Sequence, residues 1–158
     1  MRGELYRTAQ TLRQECGGRV MRRDNLHLTL VFLGNVAREK IPRLEVIAAQ
    51  QRGAGFDLAF GVTGYWRHNR IVWAAPHTTP EPLHGLVGGL EQALGQAGFE
   101  FDRRSYSPHL TLLRDARAPA ALPPLVFGWP VRDFALVESA RGTRGSEYRV
   151  LTRWPLRG

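Results

Sequence analysis

Cysteine is nearly absent from this chain: of its 158 residues, only Cys16 is one. A lone thiol forms no internal disulfide and supplies no cysteine-based metal site, so stability must come from an apolar core, for which the chain is long enough. Lysine is equally scarce, Lys40 being the only one, and acids are outnumbered 14 to 22 by bases, for a net charge of +8. Long apolar runs are missing as well. No stretch approaches the ~20 residues of a membrane helix, and Met1-Arg2-Gly3-Glu4-Leu5 reads without an apolar signal region. A cytoplasmic protein with no membrane partner is the expectation that remains. The positive charge favours an acidic partner, nucleic acid first. The preference for Arg over Lys, in a chain rich in Ala, Gly and Pro, fits a GC-rich genome equally well.

What the chain has is one tetrad written twice, His27-Leu28-Thr29-Leu30 and His109-Leu110-Thr111-Leu112, about half the chain apart. Alternation of this kind is strand periodicity. On a strand, His and Thr two residues apart share one face and the Leu pair takes the other. Two such strands around one cleft would assemble two imidazoles, one able to give a proton while the other accepts one, and two hydroxyls able to hold an anion. Metal binding is the competing use of paired histidines, but it needs a third ligand and the neighbours here are Thr and Leu, so no metal and no cofactor is expected. The other histidines, His68, His77 and His84, share no pattern and read as surface residues. Asp115 reads as a solvated strand end, and Trp66, Trp73, Trp129 and Trp154 as core packing.

Around the tetrads the chain predicts a helix over Glu4–Gln14, a strand over Leu26–Leu33 closed by Gly34-Asn35, and a second helix over Ala37–Gln51. Strands follow at Phe56–Val62 and Arg70–Ala75, with a turn at His68-Asn69. Thr79-Pro80-Glu81 reads as a helix start with Thr79 as the hydroxyl cap, Gly88-Gly89 weaken that helix, and Gly98 ends it. The second tetrad lies on a strand over Pro108–Leu113. Pro119, Pro123 and Pro124 mark an irregular connection, and strands at Val131–Glu138 and Tyr148–Trp154 flank a turn at Arg141–Gly145. The order implies an α+β fold of mostly antiparallel sheet. The expected arrangement is a single bilobal domain over residues 1–158: two pseudo-symmetric lobes of sheet with flanking helices around a central cleft, one His-x-Thr motif in each.

At these residues the chain resembles the 2H phosphoesterase superfamily, defined by two His-x-Thr/Ser-x motifs. Asp24-Asn25-Leu26-His27-Leu28-Thr29-Leu30 with Phe32-Leu33-Gly34, and Ser107-Pro108-His109-Leu110-Thr111-Leu112-Leu113-Arg114-Asp115, are similar to the paired motifs of the bacterial RNA 2′,3′-cyclic phosphodiesterases, also called 2′-5′ RNA ligases. The Ser139-x-x-x-Gly-x-x-x-x-Tyr148 pattern is similar too. Members usually open with an apolar strand before the first helix, and this sequence departs from that, so the first family strand is expected to be missing. The resemblance implies a substrate ending in a 2′,3′-cyclic phosphate, RNA or a nucleotide, with tRNA fragments among the candidates, opened to a 2′-phosphate; a monomer is the separate expectation. It implies that His27 is the proton donor toward the 3′ oxygen, that His109 activates water, and that Phe32 stacks on the base while Arg114 contacts phosphate. The residues by themselves leave the acid and base interchangeable, because the motifs are symmetric. Strict alternation would turn both Phe32 and Arg114, each five residues after its histidine, away from the cleft. The reverse reaction, joining tRNA halves through a 2′-5′ linkage, and a nucleotide-binding module without turnover are the alternatives, as is a different cyclic or 2′-5′ phosphodiester.

Overall fold

The computed structural model describes residues 2–143 and 145–157, with the side chain of Arg2 left aside. Two compact units emerge from the contacts. One comprises Met1–Thr29, Leu58–Thr78 and Ser107–Trp129, the other Leu30–Asp57, Thr79–Tyr106 and Pro130–Gly158.

In the first unit, α1 (Arg2–Cys16) carries Leu5, Ala9, Leu12 and Cys16 at helical spacing, and all four are buried. The helix packs against β1 (Arg19–Val20) and β4 (Leu110–Arg114). Gly17 and Gly18 stop it at φ of 65° and 81°. A Cβ on Gly18 would lie 2.5 Å from the Arg114 carbonyl oxygen, so only glycine lets the turn approach β4. Strands β2 (Phe56–Trp66) and β3 (Ile71–Pro76) form an antiparallel hairpin, its turn holding Arg70 at φ 57°. With β5 (Phe127–Val131) they complete a five-stranded sheet in the order β1-β4-β3-β2-β5. Phe60, Leu58, Val72, Ala74, Leu110 and Leu112 are almost wholly buried. Each large one contributes about 1.5–3 kcal/mol, which is what fixes strand register here.

In the second unit, a 3₁₀ turn at Arg38–Lys40 leads into α2 (Ile41–Ala49), which buries Leu44 and Ile47 against α3 (Glu81–Gln96). The inner stripe of α3 is Leu83, Leu86, Val87, Leu90 and Leu94. Strands β6 (Asp133–Gly142) and β7 (Gly145–Pro155) pair as a separate antiparallel ribbon, with α2 against β7.

Several elements differ from the sequence expectation for physical reasons. The Leu26–Leu33 strand does not form. A 3₁₀ turn at Arg23–Asn25 lifts the chain off the sheet edge, and only Leu28 returns to it, as an isolated bridge to Leu110. That bridge, with the Met21 N–H donated to the Leu112 carbonyl, brings His27 to Thr29 beside β4, and these residues and the second motif fall in the first unit. Thr79 does not cap α3, since the N-cap is Pro80 with no side-chain bond, and Gly88-Gly89 leave α3 unbroken because its apolar stripe is complete. Gly128 and Pro130 conceal strand β5 in the sequence, and both are tolerable there because β5 is an edge strand. The Arg141–Gly145 turn includes Arg144, which lies outside the described residues.

Candidate active site

The two imidazoles are tethered in the same way. His27 Nδ1 lies 2.6 Å from the Asn25 carbonyl oxygen, and His109 Nδ1 lies 2.8 Å from that of Ser107. In each case the acceptor is two residues upstream. A carbonyl only accepts, so Nδ1 must carry the hydrogen, which places the neutral ring's lone pair on Nε2. Both histidines therefore present the same atom for proton exchange. The tether is local in both cases, each ring bonding a carbonyl two residues back along its own chain segment.

Their surroundings differ. His27 follows the 3₁₀ turn and is held below its ordinary value of 6.5, chiefly by burial. The Asn25 hydrogen bond works against that lowering, while the positive charges of Arg114 and His109 add to it. Arg114 and both histidines thus share one electrostatic environment. His109 stands just before β4, half-buried, with its ring 4.5 Å from that of Trp66 at an interplanar angle of 77°.

Arg114 reaches this environment through a bulge. Trp73 pairs with Thr111 and Val72 pairs with Leu113, so Leu112 is an extra residue on β4. Leu112 and Leu113 are both buried, and Thr111 and Arg114 are both half-buried. The extra residue inverts the alternation after Thr111 and returns Arg114 to the face of Thr111. Strict period-two reasoning turns Arg114 away because a bulge leaves no mark in the sequence. Asp115, at φ 56°, is exposed and paired with Arg19 at 3.2 Å, in keeping with a solvated strand end.

Thr29 is exposed, the last residue of its segment of the first unit. Phe32 belongs to the second unit and is 64% exposed, so it is not a core residue. Trp66 reads as core from its strand context, yet it stands beside His109. No sequence signal distinguishes it from the other tryptophans. His68, His77 and His84 are exposed. Among the described residues, no three His, Cys, Asp or Glu side chains gather as a metal site, and no helix is long and apolar enough to cross a membrane.

Comparison with known proteins converges on one family. The LigT-like phosphoesterase model matches residues 1–73 and 74–145, one motif in each stretch. The chain is 38% identical over 141 residues to the RNA 2′,3′-cyclic phosphodiesterase of Escherichia coli (strain K12), covering 88% of this chain and 80% of that one. It is 35% identical over 146 residues to the protein of the same name from Thermus thermophilus, covering 84% and 73%. The crystal structure of E. coli LigT in apo form aligns with a TM-score of 0.86 at 33% identity over 98% of this chain and 92% of that one. LigT complexed with 3′-AMP aligns at 0.85 and 34%, over 97% and 91%. With its two His-x-Thr motifs and its α+β antiparallel fold, the chain belongs to the LigT-like phosphoesterases of the 2H superfamily.

Proposed function

We propose that this protein is an RNA 2′,3′-cyclic phosphodiesterase that opens terminal 2′,3′-cyclic phosphates to 2′-phosphates without a metal. The observation that carries the reading is the matched tether: two imidazoles, each with Nδ1 bound to a carbonyl and Nε2 as the exchanging atom. Two-step proton traffic needs that and little more. Water attacks phosphorus and gives its proton to Nε2 of His109. The P–O3′ bond breaks, and O3′ takes the proton of Nε2 of His27. Thr29 and Thr111 donate to the non-bridging oxygens, and Arg114 balances their charge. His27 must carry a proton at the start, and the bound phosphodiester anion supplies the charge that favours its imidazolium over the neutral form preferred in the empty site. Exposed Phe32 offers an aromatic face for the base. The reading treats the 158 residues as one functional domain, monomeric and cytoplasmic, acting on RNA ends such as those of tRNA fragments.

The test is turnover of a 2′,3′-cyclic nucleotide and of a short RNA with the same end, in excess chelator, with the product isomer identified by phosphorus NMR. A 2′-phosphate in chelator is the expected result. A 3′-phosphate reverses the acid and base geometry, loss of activity in chelator revives a metal role, and no turnover at all leaves a nucleotide-binding module. Paired tRNA halves in the same assay report ligation as a 2′-5′-joined product.

A further inference from the structure

We propose that Trp66 and Trp73 form a positioning stack for His109, seated on Gly64; the role depends on the two-histidine reading above. The contacts run in series. The Trp73 indole lies over Gly64, where a Cβ would come within 2.1 Å of Cζ2 and 2.6 Å of Cε2, distances no real side chain tolerates. Gly64 and Trp73 are register partners across β2 and β3, so the glycine is what lets the ring lie flat across the neighbouring strand. Trp66 packs on Trp73 at 5.4 Å between ring centroids and 39° between planes, and the His109 ring meets Trp66 at 4.5 Å and 77°. This edge arrangement is the one that ring quadrupoles favour.

Two further details show that the stack is held for its shape. Trp73 Nε1 is buried with no hydrogen-bond partner among the described residues. The N–H makes no bond there, so what the indole contributes is the surface it presents. The strand beneath Trp66 is also pinned, because the adjacent Tyr65 hydroxyl donates to the Ala116 carbonyl at 3.0 Å. Both imidazoles are half-buried, but His27 follows the 3₁₀ turn, whereas His109 stands at the start of an edge-proximal strand. Its Nδ1 tether to Ser107 fixes one atom of the ring but not rotation about the hydrogen bond. Trp66 supplies the second point of contact.

The stack is tested by comparing wild type, Trp66→Ala and Trp66→Phe for imidazole ¹⁵N shifts, measured about two units above the usual histidine pKa, and for kcat and KM on a 2′,3′-cyclic nucleotide. Trp66→Ala is expected to lower the Nδ1–H fraction of His109 while leaving that of His27. It should cut kcat about tenfold or more with KM within about twofold, as for a misplaced but still present catalytic group. Trp66→Phe should restore most of both. An unchanged His109 tautomer and kcat in Trp66→Ala would overturn the stack. Should that variant fail to fold, Gly64→Ala, which displaces the Trp73 ring, and Trp66→Leu decide by the same readouts. Should the wild type prove inactive on cyclic phosphates, the functional reading falls, while the ¹⁵N shifts still decide whether Trp66 positions His109.

Discussion

The motif at His27 and the motif at His109 share four residues and a tether, and little else. The first lies on a segment that touches the sheet at Leu28 alone, behind a 3₁₀ turn, with its imidazole sunk far enough to favour the neutral form. The second opens a five-residue strand whose Leu110, Leu112 and Leu113 are among the most buried side chains, with its imidazole against an aromatic ring. Identical side chains therefore stand in unlike surroundings, one behind a turn and the other against an aromatic ring.

The largest expected effect is the loss of either ring. His27→Ala and His109→Ala should each lower kcat by about 10²–10⁴-fold, with the double variant close to the worse single one rather than to the product of the two. Both should unfold in a single transition like the wild type. Wild-type-like turnover in either variant would break the pairing of the two motifs.

A smaller effect tests the bulge. Arg114→Ala should raise KM about tenfold, in line with loss of a charged hydrogen bond of about 1.5–3 kcal/mol. It should also move the titration of His27 upward, because a guanidinium that lowers it is gone. Proton NMR of the His27 ring checks the second outcome without any substrate. No movement there would mean that Arg114 and the first motif do not share one electrostatic environment.

The smallest effect concerns stability. His27 in the folded protein titrates below its unfolded value of about 6.5. Between those two values the unfolded chain holds a proton that the folded chain does not, so stability falls as pH drops through that window. It is unaffected above the window and levels off below it. Each unit of lowering is worth about 1.4 kcal/mol. Urea midpoints between about pH 7.5 and pH 5 should therefore decline less in His27→Gln than in wild type. An equal decline in both would deny that burial holds His27 below its ordinary value.

The repeated tetrad is legible because it is short, local and written twice; its Leu pairs and its tethers involve residues no more than two apart. Helix α1 is legible for a similar reason, its apolar stripe running from Leu5 to Cys16. The segment Leu26–Leu33 misleads as a strand. Alternation is a property of residues, whereas pairing depends on whether a partner edge lies alongside, and only Leu28 meets one. Strand β5 escapes notice for the opposite reason, its Pro and Gly concealing a segment that the sheet recruits by stacking Phe127 on Phe60 at 4.4 Å. Trp66 is hard to place from sequence because core packing and contact with a neighbouring imidazole call for the same side chain.

By itself the amino-acid sequence determined the α+β class, the two histidines, their hydroxyl companions and the kind of proton chemistry they can perform, because each depends on residue identity and on spacings within one turn or strand. Tertiary structure alone decided that Leu28 of the first motif bridges to β4, that a bulge at Leu112 returns Arg114 to the face of Thr111, and that one imidazole follows a 3₁₀ turn while the other leans on Trp66. Those outcomes depend on contacts between segments tens of residues apart, where burial and register are set by what the rest of the chain places alongside.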